Sequence, residues 1–268
     1  MFPYKIVFSD IDGTFLKSEH SLSARNKAAA KKLEALGIPF VLVSGRMPSA
    51  VRLIQKEAEI NAPYISYSGA LASDFDSTPL GSIALSKETA LKAKRYINRF
   101  YPDIECSTYS DDRWITDDDT TPLINAERAI IKRDPEKGDL SRLLSNDDPV
   151  HKLLCIGDAK RLDSLRLDLI PLFPECRIYK SQPRYLEVMS KDACKSAAAA
   201  LLCERLGIKA KDVLAFGDNY NDTDLLEFAG TGVAMGNAPD DVKSVADEIA
   251  DTNDNDGLSK YIERLLGV

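Results

Sequence analysis

The chain has 268 residues, of which 44% are hydrophobic and 29% charged. That composition suits a globular protein, and that length suits a core domain carrying an insertion. A net charge of −7 without any basic block argues against nucleic acid as the main partner, because phosphate backbones select surfaces rich in Lys and Arg.

The opening Met1-Phe2-Pro3-Tyr4-Lys5 lacks a basic region followed by a long apolar stretch, so a cytoplasmic location without a secretory signal is expected. The apolar run from Tyr4 to Phe8 then stops abruptly at Ser9-Asp10-Ile11-Asp12-Gly13-Thr14. Such a run reads as a buried strand ending in a turn, with two carboxylates at the strand end. Taken alone, the stretch could also be an Asx-turn capped by Asp12. Residues 22–36 carry Ala, Lys and Leu at helical spacing, with Ser21 or Ser23 as N-cap and Gly37 as stop. A second apolar strand, Pro39 to Val43, ends at Ser44-Gly45-Arg46, and Pro48 suits the first turn of the next helix. Residues 64–67 read as a third strand, ended by Ser68-Gly69. Strands alternating with helices in this way predict an α/β fold, a Rossmann-like parallel sheet built from right-handed βαβ units.

The alternation breaks over residues 83–187, where paired strands (104–109 with 113–116, 177–180 with 185–189) lie among helices. This pattern predicts an inserted α+β cap domain at 83–187, leaving 1–82 and 188–268 as the catalytic core. Its acidic run Asp117-Asp118-Asp119 reads as a solvated loop. The first pattern returns with a helix over 193–206 and a strand over 213–216 that ends in Gly217-Asp218-Asn219-Tyr220-Asn221-Asp222. Thr252 to Glu263 nearly spells a calcium loop, but Thr252 stands where Asp is needed. The longest small-apolar run, residues 197–202, falls far short of the roughly 20 residues that cross a bilayer, so no membrane partner is expected. Five cysteines without C-x-x-C spacing read as reduced core thiols, and only His20 and His151 are present, which removes most His-based chemistry. His151 beside an apolar run reads as a packed strand residue.

Three separated strands thus end in polar segments, two of which carry carboxylates. If they are neighbours in one parallel sheet, their ends face a common crevice. Asp10, Asp12 and Asp218 would then crowd together, and like charges raise each other's pKa unless a cation neutralises them. Mg²⁺ is the expected cation, since it prefers hard carboxylate oxygens and takes a substrate phosphate as ligand. Ser44 and its neighbouring amides can bind phosphate oxygens, and Lys195 can supply a point charge, in competition with Lys191.

The set Asp10-Ile11-Asp12-Gly13-Thr14, Ser44-Gly45-Arg46, Lys195 and Gly217 to Asp222 resembles the four motifs of the haloacid dehalogenase superfamily of phosphohydrolases. The insertion after the third strand is similar to that of the Cof-like sugar-phosphate phosphatases. The resemblance implies Asp10 as a nucleophile forming an aspartyl-phosphate, and Asp12 as general acid and base. It implies Mg²⁺ held by the side chains of Asp10 and Asp218 and the backbone carbonyl of Asp12, with Asp222 in support. Ser44, Gly45, Lys195, Asn221 and the amide of Ile11 would bind the phosphoryl group of a small-molecule phosphate ester. Ser68-Gly69-Ala70 departs from the Asn-Gly that relatives often carry. A sugar phosphomutase on the same core, or a non-catalytic phosphate-binding scaffold, are the competing readings.

Overall fold

The computed structural model describes residues 2–267, so Met1 and Val268, the two ends of the expected core, lie outside it. In chain order the elements are β1 (Ile6–Asp10), α1 (Ala24–Ala35), β2 (Phe40–Val43), α2 (Pro48–Ala58), β3 (Tyr64–Ser66), β4 (Leu71–Ser73) and β5 (Pro79–Ser82). Then follow α3 (Lys87–Phe100), β6 (Glu105–Ser110), β7 (Arg113–Thr116), α4 (Pro122–Ile131), β8 (Glu136–Lys137), α5 (Leu140–Leu143), β9 (Lys152–Ile156), α6 (Ala159–Leu172), β10 (Cys176–Gln182) and β11 (Tyr185–Ser190). The chain closes with α7 (Lys195–Leu206), β12 (Val213–Gly217), α8 (Thr223–Phe228), β13 (Thr231–Ala234), α9 (Asp240–Val245), β14 (Glu248–Ile249) and α10 (Gly257–Leu266). They form two compact units, one from Met1–Gly81 with Cys194–Val268, the other Ser82–Ala193.

The first unit is built on a sheet ordered β14-β13-β12-β1-β2-β3-β4-β5. Pairing is parallel from β14 through to β3, and β4 runs antiparallel to β3. Alternate residues of β1 face opposite layers, as the period-2 geometry of a strand requires. Val7 packs with Ala29 and Leu33 of α1, Val51 and Ile54 of α2, and Leu258 and Ile262 of α10. Ile6 and Phe8 pack with Ala198 and Leu202 of α7 and Leu225 of α8. Both faces are covered, which is why β1, β2 and β12 read as continuous apolar runs.

Local chemistry fixes the helix ends. Ser23 accepts from the Asn26 amide at 3.0 Å to start α1, Pro48 opens α2, and Gly207 closes α7 in left-handed conformation. Among the elements not expected from the sequence are the strands β4 and β5, in a stretch to which the sequence pattern assigns no element. The structure also replaces the end of the third expected strand with a 3-10 turn at Tyr67–Gly69, where both Tyr67 and Ser68 have positive φ.

The second unit holds a sheet ordered β10-β11-β9-β6-β7-β8, antiparallel except for the short β7-β8 pair. One face is covered by α3 and α6 through Ala93, Ile97, Leu162, Leu165 and Leu169. His151, immediately before β9, is fully buried; its Nδ1 accepts from the Asp111 amide at 3.1 Å and its Nε2 lies 2.9 Å from Ser82 Oγ. An Nδ1 that accepts leaves the proton on Nε2, so Ser82 receives that bond. The carboxylates of Asp118 and Asp119 pair with Lys137, in keeping with a surface loop. No helix among the described residues is long and apolar enough to cross a membrane.

Candidate active site

Strand β1 lies between β2 and β12, and the chain moves outward from it in opposite directions, through β2 and β3 on one side and β12, β13 and β14 on the other. This is a topological switch point, where the loops leaving neighbouring strands part and open a crevice at the carboxyl ends. Asp10 is the last residue of β1 and pairs with Val43, so Ser44 follows at the adjacent strand end; Gly217 ends β12 and Asp218 follows.

Lys195, fully buried at the first position of α7, donates to Asp10 Oδ1 at 2.5 Å and to Asp222 Oδ1. Its placement depends on Gly69: with φ +103°, a Cβ there would lie 2.0 Å from the Cys194 carbonyl oxygen, so only glycine lets this turn close against the start of α7. Asp222 also accepts from the amides of Asp218 and Asn219 at 3.0 and 2.9 Å. It is therefore both the cap of the turn after β12 and a partner of Lys195. Thr14 Oγ1 donates to Asp218 Oδ1 at 2.7 Å, and Asp218 lies over Gly13, where a Cβ would stand 2.3 Å from Oδ2.

The electrostatics are unbalanced. Burial, together with the charges of Asp222, Asp218 and Asp12, pushes Asp10 well above the usual carboxylate value despite Lys195. Burial and the Asp222 charge likewise push Asp218 up to about 7. Burial works against the charge on Lys195, but Asp10 and Asp222 override it and hold the ammonium protonated. Oxygens of Asp10, Asp218 and Asp222 lie within 4.8 Å of one another. Three carboxylates face one ammonium, and Asp222 is already engaged by Lys195 and two amides. Asp10 and Asp218 thus remain as the pair that suits a hard divalent cation keeping several waters.

Asp12 has a different environment. Arg46 grips it with a fork, Nε to Oδ2 at 2.8 Å and Nη2 to Oδ1 at 2.6 Å, and His20 Nδ1 lies 3.0 Å from Oδ1. Burial raises its pKa, but the bonds and charges of Arg46 and His20 more than compensate and hold it below the ordinary value. Ser44 is buried, with its amide on the Ile65 carbonyl at 2.9 Å and its Oγ accepting from the Arg46 amide at 3.2 Å. Ile11 is fully buried and Gly45 half-buried, both beside this cluster in sequence. Asn221 sits half-buried in the turn Tyr220–Asp222, and among the described residues no hydrogen bond joins its side chain to Asp10, Asp218 or Lys195. Sequence reasoning missed Arg46 and His20. The position of Arg46 directly after Ser44-Gly45 was the available signal for the first; the turn that returns His20 to Asp12 left none.

The chain matches the model of the haloacid dehalogenase-like hydrolases over residues 7–262 and belongs to that family. It is a phosphoric monoester hydrolase of that type. A Haemophilus influenzae protein named "Putative phosphatase" is 35% identical over 97% of both chains. The Bacillus subtilis 5-amino-6-(5-phospho-D-ribitylamino)uracil phosphatase YcsE is 27% identical, over 96% of this chain and 94% of its own. The crystal structure of a haloacid dehalogenase-like hydrolase from Bacteroides thetaiotaomicron superposes with a TM-score of 0.89 at 30% identity, covering 98% of this chain and 99% of the other.

Proposed function

We propose that the chain hydrolyses small phosphorylated metabolites, sugar phosphates foremost, through an aspartyl-phosphate on Asp10, with Mg²⁺ as cofactor and in the cytoplasm. The observation that carries this reading is the meeting of Asp10 with Lys195 at the end of β1, beside a second carboxylate, Asp12, in a separate environment. Relatives named as phosphatases, one of them for a phosphoribityl compound, support the substrate class.

In the first step an Asp10 oxygen attacks phosphorus, the bond to the leaving oxygen breaks, and Asp12 gives that oxygen a proton. In the second, water attacks the phosphorus of the aspartyl-phosphate, Asp12 takes the water's proton, and the Asp10 carboxylate is regenerated. Lys195 keeps Asp10 oriented and offsets phosphoryl charge, while Ser44, Gly45, the Ile11 amide and Asn221 surround the transferring group. Asp10 and Asp218, with the Asp12 carbonyl, would hold Mg²⁺, which when bound neutralises phosphoryl charge. Asp12 as gripped by Arg46 is ionised, the state suited to accepting the water's proton. To serve as acid it must first take up a proton.

The test is hydrolysis of p-nitrophenyl phosphate with Mg²⁺ against EDTA, followed by a panel of phosphorylated metabolites ranked by kcat/KM. Turnover that is indifferent to EDTA would remove the metal from the reading. A hexose phosphate converted to its isomer without free phosphate would make the chain a mutase.

A further inference from the structure

The turn after Asp12 is built to bring one side chain back. Leu16 bridges to both Asp12 and Leu22, the Lys17 amide bonds the Ser21 carbonyl at 2.9 Å, and the His20 amide bonds the Lys17 carbonyl at 2.8 Å. Asp254 anchors the turn through the amide and hydroxyl of Ser18, at 2.9 and 2.8 Å. At its tip His20 has φ +62°, a left-handed conformation that a non-glycine side chain seldom adopts and that Asn tolerates best. The imidazole is 63% exposed, so core packing does not fix it; the polar partner the structure gives it is Asp12 Oδ1, at 3.0 Å from Nδ1. Because an ionised carboxylate only accepts, Nδ1 carries the hydrogen. A strained backbone beside a reactive group is a feature to interpret by function.

We propose that His20 is a positioning residue for the reaction: its Nδ1–H and the Arg46 fork together fix the plane of the Asp12 carboxylate for proton transfer at the leaving oxygen. The inference rests on the reading of Asp12 as acid and base. The Arg46 fork reaches across from the end of β2, and His20 adds a donor on Oδ1 from the turn, so the carboxylate is held from two separate segments of the chain. The effect falls on leaving groups that need a proton. An alkoxide cannot depart unaided, whereas p-nitrophenolate can.

The experiment compares kcat/KM for a hexose 6-phosphate and for p-nitrophenyl phosphate, both with Mg²⁺, because kcat/KM reports only events up to the breaking of the ester bond. His20→Gly keeps the left-handed backbone and removes the donor; His20→Asn keeps the backbone and restores an N–H near the place of Nδ1. The expected result is a loss for His20→Gly about tenfold greater on the hexose phosphate than on p-nitrophenyl phosphate, as fits a lost hydrogen bond to a charged group, with most of it recovered in His20→Asn. Partial unfolding lowers both substrates by one factor and leaves their ratio intact. Equal losses on the two substrates, or His20→Asn no better than His20→Gly, would overturn the inference. Asp12→Asn separates the two levels: if it shows the leaving-group bias and His20→Gly does not, the inference alone fails, and if it shows none, the acid-base reading falls with it.

Discussion

Lys195 Nζ stands 2.5 Å from Asp10 Oδ1, although 185 residues separate them in the chain. The ammonium is fully buried and shared with Asp222, which is itself fully buried. Removing a charged group from water is costly, and here the arrangement is tolerable only because cation and carboxylates offset one another.

Replacing Lys195 by Met leaves Asp10 and Asp222 buried together without their cation. Urea unfolding should show a loss of about 3–5 kcal/mol, the range for breaking one side of a buried pair. The double variant Lys195→Met, Asp222→Asn should regain part of it. A loss under about 1 kcal/mol would mean that water reaches the site and screens it.

Asp10→Asn leaves Lys195 paired with Asp222, so the protein should fold with a near-normal melting temperature. Phosphatase activity should fall by about 10⁴-fold or more, since the attacking carboxylate is gone. Substantial turnover by this variant would take the role of nucleophile from Asp10.

As the proposed metal ligand, Asp218, pushed up to about 7, would link metal binding to pH. In the metal-free protein its folded value lies above the ordinary 3.8, so the stability it contributes is complete below that value and is lost as pH rises through 7. Mg²⁺ favours the ionised form and acts in the opposite sense. The rise in melting temperature caused by Mg²⁺ should therefore be large at pH 8 and shrink towards pH 6. Calorimetry at pH 7 in two buffers should detect proton release on binding. A metal effect of equal size at both pH values would contradict this.

Burial holds His151 down at about 4, against an ordinary 6.5. A lowered folded value contributes stability that is complete above 6.5 and is lost as pH falls through 4, amounting to about 3 kcal/mol over the window. His151→Gln can still accept from the Asp111 amide and donate to Ser82, but it does not titrate. Chemical denaturation between pH 6.5 and 4 should show a shallower decline for the variant than for the parent, and parallel curves would rule the effect out.

The strands that carry the site were legible because β1, β2 and β12 are covered on both faces, so their apolar runs are unbroken and their polar ends abrupt. β4 and β5 were not, since three or four residues, with Gly81 and Ser82 among those of β5, give too little pattern to distinguish strand from loop. The left-handed backbone at Tyr67 and Ser68 was equally hidden, because neither residue type announces it. Within the site, the carboxylates and Lys195 were visible as residue types at strand and helix ends. The grip on Asp12 was not. It requires Arg46 to span 34 positions and a tight turn to reverse the chain at His20, and both are settled by tertiary packing.

The position of β1 also bears on how the molecule is made. As the polypeptide leaves the ribosome, β1 can join β2 as soon as residues 40–43 emerge, but its other edge waits for residues 213–217. Until then Ile6–Asp10 presents an open, apolar strand edge, the kind that recruits foreign strands. The strand that carries Asp10 is thus completed only once β12 has been made, and a nascent chain halted before β12 should be the species most prone to aggregate.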